Sequence, residues 1–352
     1  RAPMSGALGM TQLALDTELT PEQRDNLKAG HASAESLLFL LNDILDFSKI
    51  EAGKLAIEAV EFAIEDLLAR TLRTVAMRVH QKGLDPICDL DARLPERVIG
   101  DSCRLQQVLM NLLGNVIKFT ERGEVIVSAR MLYEDIAPEL AEAQRYAQQP
   151  DSGNLRIELA VRDTGIGIPR EKRQSIFESF TQADGTNTRK YGGSGLGLAI
   201  SGRLAKLMGG EISVESEPGE GGTFRFSLRL ALGEGEWGRV AIQTSVALGG
   251  RRVPIVDDNQ TNRRVPDGLA RAFGMETVLC ESATAALPEL DAAGQAVFDV
   301  VLLDVQMPEM NGFGLARETR RRRGSEDALI LTLSSVETGD RTARCRELGI
   351  GG

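Results

Sequence analysis

The sequence predicts a multidomain chain built from three units of different fold class: an α-helical hairpin, a mixed α/β domain and a doubly wound α/β domain. Three observations support this division. Apolar residues follow helical spacing in the first unit, helix and strand patterns mix in the second, and short apolar strands alternate with helices in the third. We place these units at residues 1–55, 56–233 and 251–352, with a glycine-rich linker over residues 234–250.

The hairpin is predicted from two runs of apolar residues separated by a signal for a helix start. Met4, Leu8 and Leu15, together with Thr11, are spaced as on one face of a helix. Thr20 then offers an N-cap, and the "TPEQ" stretch places proline and glutamine at positions that suit a capping box.

The second helix of the hairpin carries an apolar stripe too wide for one partner helix to cover. Its members are Leu27, Ala34, Leu37, Leu38, Leu40, Leu41, Ile44 and Leu45. A stripe of this width favours a four-helix bundle made by two copies of the chain, that is, a homodimer through the N-terminal helices. The alternative is a hairpin that packs on the downstream domain of its own chain.

The composition is that of a globular protein with a substantial core: 352 residues, of which 42% are hydrophobic and 26% charged. The formal net charge of −10 argues against nucleic acid as a direct partner. The four cysteines are widely separated and the chain has two histidines, so no zinc site is expected and a reducing compartment fits best.

The most apolar stretch, "LLFLLNDILDF", is interrupted by Asn42 and Asp43 well before the roughly 20 residues that a membrane-spanning helix needs. The chain begins inside a helical pattern at Arg1, so we expect it to be truncated at the N-terminus. We therefore expect a cytoplasmic portion of a longer protein, attached to a membrane only through segments upstream.

The middle unit contains a helix on which two asparagines and a lysine share one face. Asn111, Asn115 and Lys118 in "NLLGNVIK" are spaced at i, i+4 and i+7. Amide oxygens are hard ligands that suit Mg²⁺, and an ammonium balances phosphate charge, so this face suits a magnesium–triphosphate group. Read alone, the same residues are equally those of a solvated helix face.

Two glycine-containing segments of the middle unit follow. In "DTGIGIP", Asp163 can accept a hydrogen bond from an exocyclic amine, while Gly165 and Gly167 allow the backbone to approach a flat base. In "YGGSGLGLAIS", glycines precede a helix whose N-terminal N–H groups attract phosphate. No GK[ST] follows, so this is not a P-loop, and a flexible loop with capping glycines is the alternative.

In this order and on these elements, the segments resemble the ATP-binding domain of sensor histidine kinases, with its N box, its G1 box "DTGIG", its F box "IFESF" and its G2 box "GGSGLGL". The resemblance implies an α/β two-layer sandwich of the histidine kinase/GHKL ATPase type that binds ATP and Mg²⁺. It implies a mobile ATP lid in "TQADGTNTRKYGGSG", anchored by Phe177 and Phe180.

The same resemblance assigns roles to single residues. Asn115 would be the Mg²⁺ ligand, Asn111 and Lys118 would contact phosphate, and Asp163 would bind the adenine amine. The implied cofactor-binding residues are Asn111, Asn115, Lys118, Asp163, Gly165, Gly167, Phe180, Gly193, Gly195, Leu196 and Gly197.

The N-terminal unit resembles the dimerisation and phosphoacceptor helices of the same family. "RAPMSGALGM" resembles the segment just after the phosphoacceptor histidine, and "LLNDILDFSKIEAGKL" resembles the second helix. In the family pattern that histidine lies three positions before Arg1, so it is absent from these residues. We expect His31 and His80 to be structural or exposed and not to replace it.

The third unit resembles a response-regulator receiver domain, which implies a hybrid kinase as the parent protein. "VDDN" supplies Asp257 and Asp258, "LLDVQMPEMNGF" supplies Asp304, and "LTLSS" supplies Ser334. Three carboxylates at the ends of parallel strands can hold Mg²⁺, and Asp304 would attack the phosphoryl group as nucleophile and so become the receiver phosphoacceptor, with Ser334 as a further catalytic residue.

Two features predict that this receiver is incomplete and poorly stable. The chain stops at Gly352, before the expected final strand, its lysine and the last helix. Pro254 lies in a strand expected to be interior, where it would break the hydrogen-bond ladder. Pro266 and Pro288 are expected to interrupt helices, each at a cost of about 3 kcal/mol if truly interior.

The function expected from the resemblance is that of a hybrid sensor histidine kinase fragment in a two-component phosphorelay. It would bind Mg-ATP and transfer the γ-phosphoryl group to a histidine outside this chain, and then to Asp304. A downstream histidine-phosphotransfer domain or response regulator would be the partner, and the fragment alone would not autophosphorylate. The alternatives are a GHKL-type ATPase that does not act on histidine and a non-catalytic ATP-binding dimeric scaffold.

Overall fold

The computed structural model describes residues 2–132, 154–179, 195–233, 248–292, 298, 300–321, 329–332, 345 and 350–351. Most of the expected ATP lid and most of the expected linker therefore lie outside the described residues. No described helix is long and apolar enough to cross a membrane.

The N-terminal hairpin consists of α1 (Ala2–Leu15) and α2 (Pro21–Glu51). The predicted capping box is confirmed: the Gln23 backbone N–H donates to Thr20 Oγ1 at 3.2 Å, and the Thr20 N–H donates to Gln23 Oε1 at 3.0 Å. Several large apolar side chains of the hairpin are exposed, among them Met10 and Ile44. This chain alone therefore leaves an apolar face of the hairpin uncovered.

The middle unit is a two-layer α/β sandwich, as predicted. Its elements are β1 (Val60–Phe62), α3 (Ile64–Gln81), β2 (Leu84–Leu90), β3 (Val98–Gly100), α4 (Ser102–Phe119), β4 (Gly123–Met131), β5 (Asn154–Asp163), α5 (Gly197–Leu207), β6 (Ile212–Glu217) and β7 (Gly221–Leu232). The strands form one sheet in the order β1-β3-β7-β5-β4-β2, with β6 also paired to β7.

The helices α3, α4 and α5 bury one apolar face each against this sheet, and together they form a single core. The sequence of α4 shows why one face of a helix is buried. Its apolar residues recur every three or four positions and include Leu105, Leu109, Leu112 and Val116, all buried. This arrangement leaves the opposite face of α4, with the two asparagines, directed away from the core.

The third unit is a five-stranded parallel sheet in the order β12-β11-β10-β8-β9. Its elements are β8 (Arg252–Val256), α6 (Gln260–Ala272), β9 (Glu276–Cys280), α7 (Ala283–Ala292), β10 (Val300–Leu303), α8 (Gly312–Arg321), β11 (Leu329–Thr332) and β12 (Ile350–Gly351). Its own core includes Phe298, Leu303 and Ile330.

The expectation that the chain ends before the final strand of the receiver is wrong. Ile350 and Gly351 form the beginning of a fifth parallel strand and pair with Ile330 and Leu331 of β11. The pairing satisfies the outer edge of β11 and buries Ile350, so even two residues contribute to the sheet.

The prolines of the receiver are also accommodated differently from the expectation. Pro266 lies inside α6 and Pro288 inside α7, and both helices continue past them, so neither proline interrupts its helix. Pro254 lies in β8, which is interior as expected. The ladder between β8 and β9 runs across Pro254, which is the register partner of Val278, so the proline does not break it. The ladder between β8 and β10 pairs only Ile255 and Val256, beyond the proline that lacks an N–H group.

Candidate functional site

The structure brings the first and third sequence segments together through Asn111. Asn111 lies on the outer face of α4, and its Nδ2 donates to the Gly197 carbonyl at 3.2 Å and to Ser201 Oγ at 3.3 Å. The first turn of α5 is therefore fixed beside the α4 face that also carries Asn115 and Lys118. All three of these α4 side chains are half-buried, and burial lowers the pKa of Lys118.

The N-terminus of α5 is suited to an anion. Within the described part of the chain, no side chain caps this helix, whose first residue is Gly197. Gly195 has a φ of +67°, a backbone conformation that favours glycine. Leu196 between them is buried in the core with 2% of its surface exposed, so only its backbone can face a ligand.

Asp163 ends β5, a central strand of the sheet, and 8% of its surface is exposed. Its Oδ1 accepts the Gly165 backbone N–H at 2.7 Å. Burial raises the pKa of Asp163, while hydrogen bonds from the Gly165 and Gly222 backbones and from the Thr120 side chain lower it. A carboxylate fixed in this way can accept a hydrogen bond from a ligand amine.

The two glycines after Asp163 are required by close backbone contacts. A Cβ on Gly165 would lie 2.7 Å from the Phe119 carbonyl oxygen and 2.7 Å from Asp163 Oδ1. Gly167 has a φ of +69°, and a Cβ there would lie 1.9 Å from the Glu217 carbonyl oxygen. Both glycines are therefore required by close contacts with neighbouring main chain beside Asp163, and we call the Gly165–Gly167 backbone the glycine floor; its contact with a base stays a prediction.

Sequence reasoning missed a lysine that supports this site. Lys82, just after α3, donates from Nζ to the carbonyl oxygens of Ile117 at 2.5 Å, Lys118 at 3.1 Å and Thr120 at 3.2 Å. It thus caps the C-terminal end of α4 with a positive charge. Only a lysine before a glycine at a helix end could have signalled this role, and that signal is weak.

Sequence reasoning also missed the contacts between the hairpin and the nucleotide-binding helices. Asp46 of α2 accepts hydrogen bonds from Arg104 at 2.7 Å and from Gln107 at 3.1 Å, both on α4. On α5, Arg203 pairs with Glu51 at 3.1 Å and lies over the Phe47 ring at 4.2 Å. The end of α2 is therefore joined to both helices that border the candidate site.

The receiver carries the predicted acidic cluster. Asp257, Asp258 and Asp304 each offer a carboxylate oxygen, and these oxygens lie within 4.8 Å of one another. Asp257 is fully buried, and its Oδ2 has no hydrogen-bond partner among the described residues. Burial, followed by the negative charges of Asp304 and Asp258, raises the pKa of Asp257 to about 7. A buried carboxylate with one oxygen that has no partner among the described residues, beside two other carboxylates, fits a divalent cation.

Asp304 is held at the end of β10 by local backbone contacts. Its N–H donates to the Val256 carbonyl at 2.8 Å, and its Oδ2 accepts the Gln306 N–H at 3.0 Å. A Cβ on Gly312 would lie 2.2 Å from the Asp304 carbonyl oxygen, so the following loop closes tightly over the strand end.

The remaining predicted residues are placed as follows. Phe177 packs against the core of the middle unit. His31 is half-buried, with Nδ1 at 2.9 Å from Thr11 Oγ1, and His80 is exposed; neither lies in the sites described above. Phe180, Gly193 and Ser334 lie outside the described residues, and their roles stay predictions.

Family models match all three units. Residues 1–53 match "His Kinase A (phospho-acceptor) domain", residues 100–232 match "Histidine kinase-, DNA gyrase B-, and HSP90-like ATPase", and residues 253–352 match "Response regulator receiver domain".

Curated relatives align with most of the chain. The chain is 37% identical over 309 residues to the signal transduction histidine-protein kinase BarA of Escherichia coli, covering 87% of this chain and 30% of BarA. It is 38% identical over 322 residues to the sensor histidine kinase AruS of Pseudomonas aeruginosa, covering 92% of this chain and 30% of AruS. The chain thus spans about 30% of the length of these relatives.

Among solved structures, the full-length ShkA crystal structure in complex with AMPPNP matches with a TM-score of 0.69 and 30% identity, over 99% of this chain and 65% of that chain. The three matched domain models follow one another along the chain, and the named histidine kinases align with 87% and 92% of it. The chain therefore belongs to the hybrid sensor histidine kinases.

Proposed function

We propose that this chain is the ATP-binding and receiver portion of a protein histidine kinase that works in a two-component phosphorelay. The observation that carries the proposal is that α4 is bonded to both other segments: Asn111 on its outer face bonds the start of α5, and Thr120 just after its end bonds Asp163 beside the glycine floor. The bonded segments offer an acceptor for the adenine amine at one end and donors for phosphate at the other.

Each residue has a defined task in this proposal. Asp163 accepts the adenine amine, and the backbone of Gly165 and Gly167 lies against the base. The α5 N-terminus and Lys118 balance the phosphate charge, while Asn111 fixes α5 to α4. A magnesium ion held by Asn115 would supply charge neutralisation at the phosphates. Catalysis then depends mainly on position and electrostatics, as in other phosphoryl transfers.

The histidine that attacks the γ-phosphorus is expected to lie outside these 352 residues. Its ring nitrogen would form the new N–P bond as ADP leaves. In the second transfer, an Asp304 oxygen attacks the phosphorus and the N–P bond breaks. Asp257 and Asp258 would hold the cation that neutralises charge on the transferred group.

The proposal includes partners and location. The uncovered apolar face of the hairpin supports a homodimer, because a second copy would cover the same residues. A separate histidine-phosphotransfer domain or response regulator would exchange phosphoryl groups with the chain. The four cysteines are free, which supports a reducing cytoplasmic compartment for these domains.

The test supplies the 352-residue chain with γ-labelled ATP, alone and with a separate dimerisation domain that carries an intact phosphoacceptor histidine. We expect ATP binding, negligible labelling of the chain alone, and acid-labile labelling of the added histidine. Asn115→Ala should abolish that labelling, while Asn26→Ala on the hairpin should not.

Strong acid-labile labelling of His31 or His80 would contradict the proposal. Steady ATP hydrolysis without any phosphoprotein would favour an ATPase that does not act on histidine. If Asn115→Ala labelled the added domain as well as the parent chain does, the proposed Mg²⁺ ligand would be wrong.

A further inference from the structure

One loop of the receiver contacts both the acidic cluster and the ATP-binding domain. We name residues 257–263 the docking loop. Asp257 Oδ1 accepts the Asn259 backbone N–H at 2.8 Å and the Asn262 side-chain amide at 3.4 Å, and Arg263 donates to the Asp257 carbonyl oxygen at 2.5 Å. These bonds fix the position of the docking loop relative to the first member of the acidic cluster.

The docking loop presents two neutral donors to the edge of the other sheet. Thr261 Oγ1 donates to Glu124 Oε2 at 2.9 Å. Asn259 uses its Oδ1 to accept the Thr261 N–H at 2.7 Å, which directs its amide nitrogen to the Asp85 carboxylate as donor. Asp85 and Glu124 are register partners in the β2–β4 ladder, so they form one pair of adjacent carboxylates.

The same contact contains a repulsive component. The Asp85 pKa is raised by desolvation and then by the negative charges of Glu124 and Asp258, while the Asn259 hydrogen bond lowers it. Asp258 belongs to the acidic cluster as well. Two hydrogen bonds therefore hold the docking loop on the Asp85–Glu124 pair, and the repulsion between Asp258 and Asp85 opposes them.

We propose that the receiver docks on the Asp85–Glu124 pair through the docking loop, and that a divalent cation in the acidic cluster strengthens this docking. A cation beside Asp258 neutralises the charge that opposes the pair and leaves both hydrogen bonds intact. Because coupling between two equilibria is reciprocal, docking must also strengthen cation binding: the docked receiver, with the carboxylates of Asp85 and Glu124 nearby, binds the cation more tightly.

The docking contact is also connected to the candidate nucleotide site through Glu124. The Glu124 backbone N–H donates to Thr164 Oγ1 at 3.1 Å, and Thr164 directly follows Asp163. The receiver thus holds the strand end beside the turn that carries the base acceptor. This inference rests on the proposed cation site of the receiver, which the experiment measures separately.

The experiment uses the whole chain without nucleotide, at matched ionic strength, with and without millimolar Mg²⁺. Calorimetry measures cation binding, and amide hydrogen exchange measures protection of β2 and of the first residues of β4, which do not contact the cation. We expect Mg²⁺ to slow exchange in these strands several-fold in the parent chain. Thr261→Val removes a docking donor, so amide exchange in β2 and β4 should stay fast in this variant even with Mg²⁺.

The matched variant pair is Asp85→Asn with Glu124→Gln, which keeps acceptor oxygens but removes charge. We expect β2 and the first residues of β4 to exchange slowly in this double variant at all Mg²⁺ concentrations, because the opposing charges are gone. We also expect the double variant to bind Mg²⁺ several-fold more weakly than the parent chain. If the parent chain binds Mg²⁺ and exchange in β2 and β4 is unchanged, the docking inference is overturned while the cation site stands. If no Mg²⁺ binds at all without nucleotide, the proposed cation site fails and the inference with it.

Discussion

Asp163 shows how single residues set the candidate nucleotide site. It is buried, which raises its pKa, yet two backbone N–H groups and the Thr120 hydroxyl favour its charged form. Thr120 Oγ1 also lies 2.8 Å from the Val116 carbonyl oxygen, so its one proton has two acceptors. When Asp163 is ionised, Thr120 can donate to it, and when Asp163 is protonated, Thr120 can donate to Val116.

Replacing Thr120 by valine should weaken ATP binding and change its pH dependence. The lost hydrogen bond to a charged group is worth about 1.5–3 kcal/mol to the ionised carboxylate. This bond exists with and without ATP, so only its effect on the charge and position of Asp163 reaches the ligand, and we expect a several-fold loss of affinity. In the proposed site, ionised Asp163 is a stronger acceptor for the adenine amine than the protonated acid, so affinity falls as the pH drops through its pKa. Because the variant loses a bond that lowers this pKa, that fall should begin at higher pH.

Calorimetric titration with ATP across the acid range measures both effects. Thr120→Ser keeps the hydroxyl and should retain the parent's profile. An unchanged pH midpoint in Thr120→Val would show that Thr120 does not control the charge of Asp163.

At the scale of elements, α4 is fixed at both ends. Asp101 caps its start by accepting the Arg104 N–H at 2.9 Å, and Lys82 binds the carbonyl oxygens at its end. The sequence pattern defined α4 because its apolar period and its N-cap are local signals. It did not reveal Lys82, because that contact joins residues 35 positions apart.

Lys82→Met should loosen the end of α4 and lower ATP affinity without unfolding the domain. The lost charge–carbonyl bonds are worth about 1–2 kcal/mol where the site is partly buried, so we expect a five- to thirtyfold effect. Lys82→Arg keeps the charge and should recover much of the affinity. Equal affinity in Lys82→Met and the parent chain would show that Lys82 does not support the nucleotide site.

Pro266 tests how the receiver helices tolerate proline. Within α6 it removes the hydrogen bond to the Asn262 carbonyl oxygen, so Pro266→Ala should stabilise the receiver by about 1–3 kcal/mol. The thermal midpoint of the receiver transition in the whole chain measures this gain. Pro169→Ala, outside any helix of the receiver, is the control and should leave that transition unchanged. A lower midpoint in Pro266→Ala would contradict the expected cost.

At the scale of the whole molecule, the three units were predictable and their contacts were not. The helical spacing of the hairpin, the glycine segment after Asp163 and the strand-end aspartates are short-range patterns, and each appears in the described part of the structure where the sequence placed it. The expected absence of a fifth receiver strand was wrong because two residues suffice to pair with β11. Contacts such as Asp46–Arg104 join residues 58 positions apart, and no local pattern encodes them.

A double-mutant cycle on Asp46 and Arg104 tests the coupling of the hairpin to the ATP-binding domain. Because 10% of the Asp46 side chain and 24% of the Arg104 side chain are exposed, we expect a coupling free energy of about 1–3 kcal/mol. Asp46→Asn, Arg104→Gln and the double variant are compared by chemical denaturation. A coupling below about 0.3 kcal/mol would show that the pair is incidental.

The glycine floor beside Asp163 has a consequence for inhibition. A side chain at position 165 would collide with the Phe119 carbonyl oxygen, and one at 167 with that of Glu217. An inhibitor that lies on this floor and binds Asp163 would therefore touch main-chain atoms that mutation cannot remove without distorting the pocket. Resistance would have to arise elsewhere, at the rim of the pocket or through altered drug uptake, because the floor itself offers few viable substitutions.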